Sequence, residues 1–374
     1  ALHRRPWRRA GGDRGDHGKM IRVALLAIAA ILVVALNAYV LFGGADFGGG
    51  VWDLLARGPR RQQQRALIDR AIGPIWEANH VWLILVVVLT FVCFPAAFSQ
   101  LAITLHIPIS LLLVGVVLRG SAFTFRSYDS SHQELQQRWG VIFAVASTVT
   151  PVLLGICGGA LLSGAVGAAP TSSFHARFIA PWATPFAFAV GVFALVLFAF
   201  LAAVYLTVEA DEERLKEDFR RRAIGSGIAV FVAAGAVLYL AREQAAFMVR
   251  GLIFAPLALP LQGATSIAAL TALWALVNRR YRIARFAAPV QISLILWGWA
   301  YAQFPEIIPG ALSLRAAAAP DITLKLVLIG VTVGMTLLIP SLAYLLKIFK
   351  GDGNAFDRLE RGSPPPDARP ARRR

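Results

Sequence analysis

Cysteine, acidic residues and nucleotide-binding signatures are what this sequence has least of. Its two cysteines, Cys93 and Cys157, both fall inside apolar runs with no CxxC or Cys/His spacing. That pattern argues for free thiols and against a disulfide scaffold or a structural zinc site. No Gly-Lys-Ser/Thr loop is present, and no strand precedes the one glycine-rich stretch, so neither a P-loop nor a dinucleotide fingerprint can be read. Acids number 21 against 37 Lys and Arg, a net charge of +16. Such a balance suggests nucleic acid until its location is considered. The basic residues lie in loops and tails between apolar runs, so no nucleic-acid partner is expected.

The apolar runs decide the class. Hydrophobic residues make up 57% of the chain and charged residues 16%, with a mean hydropathy of +0.63. The runs are continuous rather than alternating, which favours α-helical spans over a β-barrel. The chain is expected to be all-α, a polytopic transmembrane helical bundle of about nine spans: 21–43, 76–94, 100–119, 139–162, 182–207, 223–241, 260–277, 284–303 and 322–348. Residues 1–19 read as a structureless basic extension upstream of Met20, itself a candidate natural start, 20–350 as the transmembrane domain, and 351–374 as a disordered basic tail.

Loop charge gives an orientation. The loops at 57–70, 119–138, 208–222 and 278–285 carry 17 Lys and Arg, whereas those at 94–100, 163–181, 242–259 and 304–321 carry 4. The basic set is expected in the cytoplasm, with the N-terminus outside and the C-terminus inside. Segment 208–222 alternates sign at helical spacing and reads as a solvated linker helix.

Polar residues that interrupt the apolar pattern are the candidate sites. Trp76-Glu77-Ala78-Asn79-His80-Val81-Trp82 opens directly into the run 83–92. On a helix Glu77 and His80 are i,i+3 neighbours, as are Asn79 and Trp82. Glu77 reads either as a cap in a first turn after Pro74 or as a proton-carrying carboxylate at the membrane entrance. The stretch Gly43-Gly44-Ala45-Asp46-Phe47-Gly48-Gly49-Gly50 follows the first apolar run and is followed by Asp53. A helix terminator accounts for the glycines but not for Asp46, whose charge is unfavourable at a helix C-terminus. Arg119 and Arg126 end the third span, where they either snorkel to the interface or pair with Asp46, Asp53 or Glu77. His106, placed inside that span, reads as a hydrogen-bonded interior residue, and His132 and His175 lie in loops without ligand spacing. Asp321 reads as an N-cap and Glu306, between two prolines, as an exposed turn carboxylate.

Four of these motifs, in order and in register, resemble subunit II of the cytochrome bd-type quinol oxidases, including the cyanide-insensitive branch. They are the glycine-rich segment 44–50, Trp76 to Ile84, Arg119-Gly120 with Phe125-Arg126, and Phe304-Pro305 with Pro309. The resemblance covers Met20 to about Phe349. It implies a subunit of a respiratory complex in the bacterial cytoplasmic (inner) membrane that oxidises quinol and reduces dioxygen to water. It further implies that haems b and d reside in a partner, subunit I, that this chain binds no cofactor or metal directly, and that a small single-span accessory subunit is a further candidate partner. By the same resemblance Glu77 and Asp46 would be proton-pathway carboxylates, with Asp53 as a candidate third. Trp76, Asn79, His80, Arg119 and Arg126 would support them, and Trp82 would border oxygen access. Where many members carry a second Asp three residues before Asp46, this chain has Gly43. The alternative from another class is a secondary transporter with an intramembrane carboxylate, which should show two corresponding broken spans.

Overall fold

The structure, a computed structural model, describes residues 12–128, 133–168 and 173–351. The basic tail from 352 onward and the start of the N-terminal extension lie outside the described residues, as does His132. Helices follow in the order α1 (Gly12–Leu54), α2 (Arg61–Cys93), α3 (Pro95–Thr104), α4 (His106–Tyr128), α5 (Gln133–Leu162) and α6 (Phe174–Phe178). Then come α7 (Pro185–Glu209), α8 (Glu213–Gln244), α9 (Ala246–Phe254), α10 (Ala258–Val277) and α11 (Tyr281–Gln303). A two-stranded antiparallel ribbon, β1 (Glu306–Ile308) and β2 (Leu312–Ser313), leads through α12 (Leu314–Ala317) to α13 (Asp321–Gly351). The helix of α1 starts at Gly12, so the end of the basic extension is already helical rather than structureless.

Among the described residues eight helices are long and apolar enough to cross a membrane, or nine when the bent pair Asn79–Cys93 and Pro95–Thr104 is taken as one span. On the second count the nine candidate runs in the sequence map one to one onto the structure. The bend is 115°. Pro95 has no N–H for α2 to continue through, and it sits at the start of α3, where that loss is harmless. The third span therefore begins at His106 instead of residue 100.

Helix α7 is the centre of the first compact unit, residues 1–325, and packs against α1, α5, α8 and α11. Thr184 caps it, accepting a hydrogen bond from Ala187 N at 3.1 Å, and Pro185 opens its first turn. Small residues set its crossing with α5. A Cβ on Gly155 would stand 2.6 Å from Gly191 Cα, so the two backbones touch with no side chain between them. The second unit, 326–374, holds among its described residues the remaining turns of α13.

Loops sort to two ends as their charge predicts. At one end Arg60 pairs with Asp218, Arg70 with Asp211, Arg279 with Glu217 and Arg285 with Glu209. At the other, Ala319 N donates to Cys93 O at 2.8 Å, and Gly167 abuts Ala311 and Ile308. Segment 213–222 is not a separate linker helix. It is the first turns of α8, and its Leu215 and Phe219 are buried in the core.

Candidate functional site: a buried ion pair on a glycine-lined helix

Helix α1 does not stop at the glycines. It runs through them to Leu54, and every residue from Gly43 to Asp53 is buried. In lipid a helix satisfies its own backbone polar groups, so breaking it would leave them unpaired. The glycines act through close approach. A Cβ on Gly48 would fall 2.0 Å from the Phe198 carbonyl oxygen, and one on Gly50 would fall 2.2 Å from Ser147 Cβ. Gly44 and Gly48, with Trp52, make one face against α7, where Trp52 Nε1 donates to Ala199 O at 2.7 Å. Tyr39, Gly43, Asp46, Gly50 and Asp53 recur at helical spacing on another face, towards α2, α4 and α5.

Asp46 and Arg119 meet on that second face. Arg119 is only 1% exposed and is the largest fully buried side chain among the described residues; Asp46 is 0% exposed. The guanidinium Nη2 donates to Asp46 Oδ1, and Nε donates to Ser147 Oγ at 3.1 Å. Phe47 and Phe143 sandwich it, with ring centroids 4.8 and 5.0 Å from Cζ. Arg119 therefore does not snorkel. Its sequence position left open which carboxylate it would meet, and the structure brings it to Asp46.

The other oxygen of this carboxylate, Oδ2, is buried without a formed hydrogen bond. The Asn79 amide and the His80 ring are the neighbouring polar groups from α2 that bear on it. Asn79 itself is buried, and its amide stands 3.0 Å from where a Cβ on Gly43 would lie. Gly43 thus makes room for Asn79.

Two turns further along α1, Asp53 is also 0% exposed and pairs with Arg65, Nε to Oδ1 at 3.2 Å. The Arg65 side chain is 28% exposed, so this second pair joins the buried face of α1 to the surface. Trp76 and Glu77 lie on α2, but the side chains of 72–78 are outside those described, as is that of Arg126. Trp82 is buried, with its Nε1 lacking a hydrogen-bond partner.

His106 departs from expectation. It is exposed at the start of α4, with Nδ1 2.9 Å from Ile103 O and its ring edge-on to Phe178 at 4.9 Å. The α3 bend is the reason, because it moves the start of the span to His106 itself. His175 is exposed on α6. No group of three or more His, Cys, Asp and Glu is placed to hold a metal ion among the described residues. Glu306 is half-buried in β1 and accepts a hydrogen bond from Gly310 N, so it is a turn-closing acceptor rather than a free carboxylate.

One network escaped the sequence. Arg60 grips Asp218 with two bonds of 2.8 and 2.6 Å, Gln64 donates to the same carboxylate at 3.0 Å, and Arg222 donates to Gln64 Oε1 at 2.8 Å. Arg222 also lies over Trp52, 5.3 Å from the ring. This set ties the ends of α1, α2 and α8 together. The only signal for it was the alternating charge of 208–222, which does not name partners.

Residues 24–349 match the family model described as cytochrome bd terminal oxidase subunit II. The chain belongs to this family. Among similar proteins, the putative cytochrome bd menaquinol oxidase subunit II of Bacillus subtilis is 21% identical over 339 residues, covering 88% of this chain and 96% of that protein. The cytochrome bd-I ubiquinol oxidase subunit 2 of Escherichia coli K12 is 26% identical over 132 residues, 35% of this chain and 34% of that one. The fold is similar to a chain of the bd oxidase from Geobacillus thermodenitrificans, with a TM-score of 0.74 at 20% identity, covering 88% of this chain and 99% of that one. As a cytochrome bd oxidase subunit II, the chain is a multi-pass protein of a bacterial inner membrane and one part of a haem-containing oxidoreductase complex. Family membership does not favour the transporter alternative. Among the described residues there is one bent pair of helices, not the two that a transporter repeat requires.

Proposed function

We propose that this chain is the haem-free subunit of a quinol:dioxygen oxidoreductase, that it partners a haem-bearing subunit I, and that its second face of α1 conducts protons. Reduction of dioxygen to water consumes protons together with electrons, and a complex buried in lipid must bring them in through fixed polar groups. The observation that carries the reading is the Asp46–Arg119 pair, fully buried in a membrane bundle where charge is costly and is retained chiefly for function. Arg119 holds one oxygen of Asp46, and the Asn79 amide and the His80 ring bear on the same carboxylate from α2.

In this reading Asp53, with Arg65, forms the outer acid of the route, and Asp46 the inner one. Seven positions along α1 separate them, which places the two about 10 Å apart along the helix axis. Asn79 and His80 bear on Asp46 from α2, and Glu77, within one helical turn of His80, is the acid that would receive or deliver the proton there. The basic end of the bundle faces the cytoplasm, which makes Asp53 an entry from that side. Trp82 borders the oxygen route, and dioxygen, being small and apolar, travels through packed apolar side chains more readily than water does. The haems are assigned to the partner because His106 and His175 are exposed and the one half-buried histidine described, His80, attends a carboxylate.

The test is a reduced-minus-oxidised visible spectrum of the purified chain, expressed alone and then with its haem-bearing partner. Haem b and d bands that appear only with the partner support the reading, and haem bands in the chain alone overturn it.

A further inference from the structure

A cleft of about 290 Å³ opens between the starts of α2 and α5, beside the Asp53 end of α1. It is lined by Arg61, Gln62 and Arg65 from α2 and Val141 from α5. Arg61 and Arg65 are i,i+4 neighbours and present their cations to the same opening. Arg65 shares its charge with Asp53, whereas Arg61 is exposed and appears in none of the ion pairs above. Arg138, also exposed, stands one turn before Val141. The membrane-crossing part of α5 runs from Arg138 to Leu162, so the cleft sits at the boundary between headgroups and hydrocarbon.

Apolar surface continues from this basic mouth. Val141, Val145 and Val149 are 58%, 46% and 47% exposed and recur at i, i+4 and i+8, forming a rail along α5 from the cleft into the hydrocarbon. A cationic, hydrogen-bond-donating mouth joined to an apolar rail fits one class of ligand, a lipid with an anionic headgroup. A free phosphate would use the mouth and leave the rail unused. A zwitterionic lipid would bring its own cation to the arginines.

We propose that this cleft binds an anionic phospholipid, its phosphate held by Arg61 and Gln62 and one acyl chain lying along Val141, Val145 and Val149. Because Arg65 also holds Asp53, the bound headgroup stands beside the surface end of the α1 carboxylates.

The test uses the intact, haem-loaded complex, titrated with phosphatidylglycerol and, separately, phosphatidylcholine, and read by native mass spectrometry. The variants are Arg61→Gln, which removes the charge, and Val141→Trp, which fills the cleft; haem content verifies assembly of each. A juxtamembrane arginine adds roughly fivefold to anionic-lipid affinity, so Arg61→Gln is expected to weaken phosphatidylglycerol binding by about that factor. Val141→Trp is expected to abolish the tightest adduct, and millimolar inorganic phosphate to leave it in place. Unchanged phosphatidylglycerol binding in both variants, equal retention of phosphatidylcholine, or displacement by inorganic phosphate would each overturn the proposal.

Discussion

Arg119 of α4 donates to Asp46 of α1 from 73 positions away, at a place where neither side chain reaches solvent. Burial of such a pair costs desolvation on both sides and stabilises only while both partners remain. Retaining the charges here costs stability, and that cost is consistent with a role in moving protons.

Removing one partner strands the other. Asp46→Ala leaves a buried guanidinium without its carboxylate and is expected to destabilise the complex by about 3–5 kcal/mol. Arg119→Ala should do the same from the other side. Thermal unfolding of the purified complex, followed by haem release, checks both; melting temperatures equal to wild type would show that the pair is not the buried contact described here.

Close backbone approach makes two glycines sensitive. A methyl group at Gly48 meets the Phe198 carbonyl and one at Gly50 meets Ser147, so Gly48→Ala and Gly50→Ala are each expected to cost about 1–3 kcal/mol and to lower assembled yield. Gly225, where a Cβ would meet nothing within 4 Å, is the internal control, and Gly225→Ala should be neutral or mildly stabilising.

The Arg60–Asp218 clamp is partly exposed, with side-chain exposures of 33% and 19%. Exposed pairs of this kind contribute about 0.2–1 kcal/mol and weaken in salt. Asp218→Asn is accordingly expected to lower the melting temperature slightly at low ionic strength, with a smaller difference at high salt, and to leave oxygen consumption intact. A large loss of turnover in that variant would place Asp218 on the proton route instead.

Glu77→Gln keeps size and hydrogen bonding while removing the titratable group. The expected result is normal haem content with oxygen consumption reduced by roughly a hundredfold, the scale of a lost general acid or base. Full turnover would assign Glu77, which lies inside α2 rather than in its first turn, to packing alone.

Much of the architecture was legible in the sequence because lipid leaves few options. Apolar run length located the eight membrane-length helices and the bent pair of α2 and α3, and loop charge separated the two ends that the structure builds from Arg60, Asp218 and Arg279 on one side and Cys93 and Ala319 on the other. Besides the network around Asp218, three things were not legible. Glycines 43 to 50 look like a terminator, since each costs a helix about 1 kcal/mol, yet contact with Phe198 and Ser147 exists only in three dimensions and favours continuing the helix. The turn at Phe94–Pro95 shifted the third span and took His106 out of it. The choice of Asp46 for Arg119 depended on which faces of α1 and α4 meet around α5, which spacing along one chain does not specify.

The most direct test of the proton role is oxygen consumption by the haem-loaded double variant Asp46→Asn with Arg119→Gln, set beside wild type and Glu77→Gln. Neutralising both partners removes the stranded charge, so assembly should recover while proton delivery does not. Normal haem content with turnover lowered by roughly a hundredfold is the predicted result. Wild-type turnover in the fully loaded double variant would contradict it and reduce the pair to a structural tie between α1 and α4.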